Sequence, residues 1–287
     1  MIYIKGMHGL GDNIYQRGFI KSIQDEVYLE TPWPQVYEGL DNVKFIKPHT
    51  KLRTQSKNIQ GSKSIWADDS ENVNYVNVKN KIRIHYGKPK GTGGIVREMT
   101  QCFGFRPNTF DLPDFRKEFP WIADLGEFAL IRPVTERKEW FNAARNPKAE
   151  YIAKSAEILK DTGVNVISVA DLKPNEEWLV GSKPYADKNF HKGELSVKEL
   201  LALVQSAKYT VSGVGWAVPA SLCYNNKAWI VLGGHGAYNS PEFIMYKQPN
   251  QVSFATPDDF CRCRNMKHDC NKEISNYEFK FADWLSG

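Results

Sequence analysis

The sequence repeats one alternation, a short apolar run and then an amphipathic stretch, and that alternation leaves few folds open. Residues 1–5 read as a strand, and Gly6-Met7-His8-Gly9-Leu10-Gly11-Asp12-Asn13 reads as a tight loop. A helix is expected from there to about Gln24, with Ile14, Phe19, Ile20 and Ile23 near helical spacing. Val27-Tyr28-Leu29 is a second strand, closed by Pro32 and Pro34, with a further helix expected to begin near Gln35. Val43 to Ile46 is a third strand. This βαβαβ order predicts a parallel sheet with crossover helices. A second series opens at Phe128-Ala129-Leu130-Ile131 and runs through a helix at about 149–161 and a strand at Val164–Val169. It continues with a helix at Leu195–Ser206, a strand at Tyr209–Ser212 and a strand at Ala228–Leu232. Ser196 with Glu199 three residues on is a capping-box pattern for the second of those helices. A length of 287 residues, 41% of them hydrophobic, supplies two cores of ordinary size. The expected architecture is two Rossmann-like, doubly wound domains, residues 1–120 and 121–287, joined through the Pro-rich, charged stretch 106–126.

Residues 49–95 fit this scheme least. They are polar and basic, with a strand expected at Asn74–Val78, a flexible loop at Gly91–Gly94 and a helix at 95–103. The basic side chains are either a solvated face or an acceptor-binding surface. A net charge of +5 suits a polyanionic partner without requiring one. Aromatic residues, at 13%, serve core packing or the stacking of sugars and bases. The opening residues read as a strand rather than a secretory signal, and no apolar run reaches the roughly 18 residues that span a bilayer, so a cytoplasmic protein is expected. Five cysteines, an odd number, fit reduced thiols or a metal site better than a disulfide framework.

Three glycine loops stand where strands end: Gly9-x-Gly11-Asp12, Gly213-x-Gly215 and Gly233-Gly234-x-Gly236. In open α/β sheets ligands bind at the carboxyl ends of strands, where glycine lets backbone N–H groups approach phosphate and a helix N-terminus adds its dipole. None of the loops is a P-loop or a G-x-G-x-x-G fingerprint, so turn glycine remains the competing explanation for each. Asp12 follows the first strand at a helix start and serves either as a cap or as a general base. Arg132, Arg137 and Lys138 lie where they could stabilise a departing diphosphate. Asp171, just after Val164–Val169, is a candidate for ribose hydroxyls, with Glu176 and Glu177 as alternatives. His8 and His235 sit in glycine loops and are expected to hydrogen-bond there. Cys261, Cys263, His268 and Cys270 are four candidate zinc ligands in a spacing that is not that of a standard finger. Packed, reduced thiols are expected there, with a structural metal as the alternative, and no metal cofactor is expected to be needed.

The segment Ile4–Asn13, a strand and a small-residue loop ending Gly-Asp before a helix, resembles the opening of the family 9 glycosyltransferases, the ADP-heptose heptosyltransferase-like group. Thr135-Glu136-Arg137-Lys138-Glu139-Trp140 is similar to that family's donor loop, Gly193–Leu200 to its motif before the last βα unit, and Ser212–Trp216 to its phosphate-binding loop. The stretch from Cys261 to Ile274 is similar to a cysteine-rich tail of many members. The resemblance implies a GT-B fold, with two domains facing a central cleft and a nucleotide-sugar donor held by the C-terminal one. It implies Asp12 as catalytic base, with His8, Gly9, Gly11 and Asn13 as the acceptor-side loop. It implies Thr135, Lys138, Gly213, Gly215 and Trp216 as donor-binding residues, to which Arg132 and Asp171 are added from their positions at strand ends. The family's Asp-x-Gly-x-x-His arrangement falls on Gly213 and Val218, so the direct side-chain grip on the donor is altered.

The reading that follows is an inverting transfer of a hexosyl or heptosyl group from a nucleotide sugar to an acceptor hydroxyl. The acceptor is a saccharide or a hydroxymethylated base in DNA, the latter requiring an accessible or extruded base. A catalytically inactive nucleotide- or nucleic-acid-binding module of the same fold is the alternative. A nicotinamide-dependent enzyme is disfavoured by the missing dinucleotide fingerprint.

Overall fold

A computed structural model describes residues 1–62, 66–67, 78–85, 93–245 and 251–287. The chain divides into two compact units, Met1–Pro113 and Asp114–Gly287. The division falls between Pro113 and Asp114 rather than after residue 120. Phe115 is fully buried, its N–H donates to Gln205 Oε1 at 3.2 Å, and Glu118 pairs with Lys198, which ties this stretch to the second unit.

The first unit contains β1 (Ile2–Lys5), α1 (Leu10–Lys21), β2 (Val27–Glu30), β3 (Val43–Ile46), α2 (Arg53–Gly61), β4 (Lys81–Arg83) and α3 (Ile95–Phe103). Its sheet has the order β3-β2-β1-β4, every pair parallel. Residues 13–20 of α1 are all buried, so the helix is covered on every side and its polar members need internal partners. Arg17 Nη1 donates to the carbonyls of Val36 and Glu38, both at 3.0 Å. Gly18 lets the 109–110 segment close on the helix: a Cβ there would lie 2.9 Å from the Phe110 ring and 3.0 Å from Thr109 O. The helix expected near Gln35 is a single 3-10 turn, Pro34–Tyr37, and Gly39 leads the chain away at φ +79°. The helix α2 was not anticipated. Most of the strand expected at 74–78 and half of the loop at 91–94 lie outside the described residues.

The second unit contains β5 (Phe128–Ile131), β6 (Thr135–Arg137), α4 (Ala149–Asp161), β7 (Asn165–Val169), β8 (Glu177–Leu179), β9 (Lys188–Phe190) and α5 (Val197–Ser206). It continues with β10 (Tyr209–Gly213), α6 (Ala217–Tyr224), β11 (Lys227–Val231), α7 (Gly236–Asn239), α8 (Pro241–Ile244), β12 (Val252–Ala255) and α9 (Tyr277–Ser286). Its main sheet has the order β12-β11-β10-β5-β7-β9 and is parallel throughout. β6 and β8 form a separate antiparallel pair. Central strands buried on both faces read as apolar runs, which is why β5 and β11 are visible in the sequence, while β7 and β10 bury Ser168, Thr210 and Ser212 among their apolar residues. Side chains alternate between the faces. Val211, Trp229 and Val231 pack with Tyr151, Tyr277 and Phe281 of α4 and α9. Ala228, Ile230 and Leu232 pack with Val218 and Ile244 on the other face. Much of the aromatic excess is therefore core: Trp229 Nε1 donates to Tyr277 OH at 3.1 Å, and that hydroxyl meets Ser155 Oγ at 2.6 Å, so the buried polar ends are satisfied. The capping box at Ser196 and Glu199 forms as the sequence predicts. Among the described residues no helix is long and apolar enough to cross a membrane.

Candidate functional site

The main sheet of the second unit runs 3-2-1-4-5-6 when its strands are counted from β5 through β7, β9, β10, β11 and β12. In that order the winding reverses between β5 and β10, and the loops leaving those two strands open a crevice at their carboxyl ends. β5 leads into Arg132-Pro133-Val134, and β10 leads into Val214-Gly215-Trp216, where Trp216 precedes the first turn of α6. The Arg132 N–H donates to Val211 O at 2.9 Å and fixes the strand exit. Its guanidinium lies beneath the glycine loop, with Nη1 3.6 Å from where a Gly215 Cβ would stand. Arg145 Nη2 reaches the same loop and donates to Val214 O at 2.7 Å. Among the described residues the N–H groups of Gly215 and Trp216 have no hydrogen-bond acceptor.

This crevice carries positive charge in excess of its counter-charge. Burial pushes the Arg132 guanidinium down to about 10, with the Arg137 and Arg145 charges pushing the same way and Glu177 opposing them. Glu177, itself buried, pairs with Arg137 Nε at 3.3 Å and accepts the Thr135 hydroxyl at 3.0 Å. Thr135 is thus bound to a neighbouring carboxylate, and Asn146 Nδ2 donates to its carbonyl at 3.1 Å. Lys138 is exposed, and its backbone N–H is tied to Glu176 O at 2.9 Å. Asp171 lies just beyond β7, the strand beside β5, and its backbone forms an isolated antiparallel β-bridge with that of Lys192. Gly213 packs closely, since a Cβ would stand 3.3 Å from Pro147 Cδ. Arg145 is the member the sequence did not disclose. It lies in an irregular stretch with no motif, and only the fold brings it to the loop.

The loop Gly233-Gly234-x-Gly236 after β11 is built differently. A Cβ on Gly233 would overlap Asn146 O, one on Gly234 would overlap Cys270 Sγ, and one on Gly236 would lie 2.8 Å from the Phe260 ring. The Gly234 N–H donates to Ala144 O at 2.7 Å and the Gly236 N–H to Cys261 O at 2.9 Å. These glycines make room for the protein's own chain, and those N–H groups are spent, so the expected phosphate role is not supported here. His235, at φ +56°, is buried with Nδ1 3.4 Å from the amides of Asn142 and Asn239.

In the first unit the corresponding loop joins β1, the strand between β2 and β4, to α1. Asn13 is completely buried and fastens it: Nδ2 donates to Met7 O and Gly9 O, both at 2.7 Å, while Oδ1 accepts from Thr31 Oγ1 at 2.6 Å and Tyr37 OH at 2.9 Å. Gln16 Oε1 accepts the Met7 N–H at 2.7 Å. The His8 carbonyl accepts from Trp33 Nε1 at 2.7 Å and Gln55 Nε2 at 2.8 Å. Burial lowers the His8 pKa, against the pull of Glu30, whose Oε1 is 4.0 Å from Nε2; Lys5 lowers it further. Asp12 is partly exposed in the first turn of α1, after Gly11, and its carboxylate folds back over Gly9, where any Cβ would overlap it. Asn13 is thus the structural residue of the expected set, and Asp12 keeps accessible surface.

Cys261, Cys263, His268 and Cys270 come together, with one ligand atom from each lying within 4.8 Å of all the others.

No family model matches the chain, and no curated protein matches it by sequence. Solved structures do match its fold. The family 9 glycosyl transferase of Veillonella parvula DSM 2008 aligns over 100% of this chain and 97% of its own, at TM-score 0.63 and 12% identity. The E. coli ADP-heptose LPS heptosyltransferase II aligns over 100% and 99%, at TM-score 0.57 and 10% identity. E. coli heptosyltransferase WaaC, in a structure with ADP-2-deoxy-2-fluoro heptose, aligns over 99% and 98%, at TM-score 0.57 and 12% identity. Identity this low carries the fold, and what it carries is definite: along its whole length the chain has the GT-B fold, two Rossmann-like domains, of the family 9 heptosyltransferase structures.

Proposed function

We propose that this chain is a nucleotide-sugar-dependent glycosyltransferase whose second unit binds the donor and whose first unit binds the acceptor. The observation that carries the reading is the cationic strand switch between β5 and β10, with Arg132 and Arg145 against the Val214–Trp216 loop. A diphosphate supplies the charge this crevice lacks. Its oxygens accept from the Gly215 and Trp216 N–H groups at the start of α6, and Arg132 neutralises them from below. Lys138 reaches the outer phosphate from its exposed position, while Thr135 and Glu177 hold Arg137 in place. Asp171 accepts from the donor ribose hydroxyls.

In the transfer step the acceptor oxygen attacks the anomeric carbon as the bond from that carbon to the diphosphate oxygen breaks. The acceptor proton passes to the Asp12 carboxylate, and the bonding electron pair leaves with the nucleoside diphosphate. A single displacement of this kind inverts the anomeric centre. Arginines stabilise the leaving group, so the step calls for no metal. A heptosyl donor and a saccharide acceptor fit what the similar structures are named for, with a hexosyl donor as the alternative.

The test is a thermal-shift panel of nucleoside diphosphates and NADH on the full chain. Transfer from the sugar conjugate of any hit is then assayed with saccharide and hydroxymethylated DNA acceptors. One nucleoside diphosphate should raise the midpoint in proportion to its affinity. Asp12→Asn should keep that response and lose about 10²–10⁴ in turnover, the range for a general base. A response to NADH alone would overturn the reading, and turnover that survives Asp12→Asn would remove Asp12 as the base while leaving the transfer in place. Nucleotide binding with no turnover on any acceptor would favour a binding module of the same fold.

A further inference from the structure

The stretch between β12 and α9, residues 256–276, has no regular secondary structure. Irregular stretches this long inside a compact domain are uncommon without something to hold them. Backbone hydrogen bonds lay this one across two neighbours. Gly236 and Ala237 donate to the carbonyls of Cys261 and Cys263, and Ala144 donates to Met266 O at 3.0 Å. Where it crosses the loop after β11, its three cysteines and one histidine converge.

We infer that Cys261, Cys263, His268 and Cys270 bind one tetrahedral divalent d-block cation, of which zinc is the type, and that this ion clamps the 261–270 loop onto the loop following β11. Three of the six separations are near those of a ligand set, and all six lie within 4.8 Å. Cys263 Sγ lies 3.6 Å from Cys270 Sγ, Cys261 Sγ lies 3.5 Å from His268 Nδ1, and His268 Nδ1 lies 3.2 Å from Cys270 Sγ. A tetrahedron with metal–sulfur bonds of about 2.3 Å and metal–nitrogen bonds of about 2.0 Å has edges of roughly 3.5–3.8 Å. His268 is an exposed residue, yet its ring nitrogen turns in to the sulfurs.

The surroundings suit thiolates. Gly234 has no Cβ where Cys270 Sγ sits. Arg262, Arg264 and Lys267 are interleaved with the ligands and outnumber Asp269, offsetting the net negative charge of a three-thiolate site. On binding, three S–H bonds become metal–sulfur bonds, the His268 lone pair fills the fourth position and three protons pass to solvent. A disulfide between Cys263 and Cys270 would leave Cys261 and His268 without a purpose.

The experiment uses the untagged full chain, purified under reducing, anaerobic conditions and analysed by plasma mass spectrometry. About one zinc or iron per chain is expected, with visible absorption separating thiolate-bound iron from colourless zinc. If the protein is isolated without metal, titration with Zn²⁺ against a competing chelator should give one tight site. Co²⁺ should give the absorption of a tetrahedral thiolate complex. Strong chelation should lower the melting midpoint, and Zn²⁺ should restore it. Cys263→Ser and Cys270→Ser should lose the metal, while Cys102→Ser should keep it. Because a buried cysteine variant can fail to fold, His268→Gln at the exposed ligand provides the second test and should weaken Zn²⁺ binding by at least about tenfold. The inference is overturned if the folded reduced chain takes up no stoichiometric metal, if the metal persists in a Cys261→Ser/Cys263→Ser double variant, or if the anaerobic protein holds a Cys263–Cys270 disulfide.

Discussion

Replacing Arg132 with methionine should make the free protein more stable and deaf to nucleotide. Methionine has similar bulk and no charge. A guanidinium pushed from its ordinary value down to about 10 carries an electrostatic penalty of about 3 kcal/mol, at about 1.4 kcal/mol per tenfold shift in proton affinity. The sign follows from the folded value lying below the unfolded one. The folded chain binds this proton less well, so the penalty is present in full below pH 10, neutral pH included, and is relieved only as pH rises through about 10. Arg132 keeps some exposed surface and also attracts Glu177, so about 3 kcal/mol is an upper bound and a gain of about 1–2 kcal/mol is expected. For a unit of this size that is a rise of roughly 3–6 °C in melting midpoint. The wild-type chain at a nucleoside diphosphate concentration of about 100 times Kd should gain about 2.7 kcal/mol, and Arg132→Met should gain almost none. The assay is a paired melting curve, with and without ligand, for both proteins. A free variant that melts well below wild type while keeping its ligand response would refute the reasoning. Arg132 would then be a structural ion, and the anion site would lie elsewhere.

Other perturbations test other parts of the fold. Gly18→Ala adds a carbon 2.9 Å from the Phe110 ring and 3.0 Å from Thr109 O, so despite alanine's better helix propensity it should cost about 1–3 kcal/mol in denaturant unfolding. A neutral result would mean the 109–110 segment moves freely. Asn13→Ala removes a side chain that satisfies two carbonyls and two hydroxyls in the interior of the first unit, and should cost about 2–4 kcal/mol. Loss below about 0.5 kcal/mol would indicate that water replaces it. His8 and His191 both have pKa values lowered chiefly by burial. The unfolded chain therefore binds more protons between those lowered values and 6.5, and stability should be whole above 6.5 and fall as pH drops through that window. Urea midpoints across pH 5 to 8 should slope accordingly and become shallower in a His8→Gln/His191→Gln variant, in which the buried His235, lowered by the same cause, keeps its share. A slope unchanged by both substitutions assigns the effect to other groups.

Several elements could be read directly because each rests on a local pattern. β5 and β11 carry apolar runs flanked by turn residues, and α5 announces itself by Ser196 and Glu199. Elements made by partners rather than by pattern were missed. β6 and β8 are three-residue strands that exist because Glu177 is held between Thr135 and Arg137. The turn at Pro34–Tyr37 carries a helical start signal, but nothing beyond it continues the helix. The two glycine loops of the second unit look alike in sequence and differ in space. Gly215 lies over a guanidinium with its N–H unspent, whereas Gly233 and Gly234 are pressed against Asn146 and Cys270.

Strand order, and with it the site, is a matter of long-range pairing. Periodicity and turn chemistry involve neighbours a few residues apart, so the sequence by itself determined the α/β class, the two winding series and the Gly-Asp loop that carries Asp12. It also put Cys261, Cys263, His268 and Cys270 in one short segment. Only the tertiary structure decided that β5 and β10 are adjacent, so that residues 132 and 214–216 meet at the winding reversal and Arg145 joins them. The same holds for the ligand atoms of the cysteine cluster, which close to within 4.8 Å only because the irregular 256–276 stretch is laid across the loop after β11. The physical reason is common to both cases: parallel pairing and loop packing depend on which distant surfaces exclude water together, and no local stretch of sequence encodes that choice.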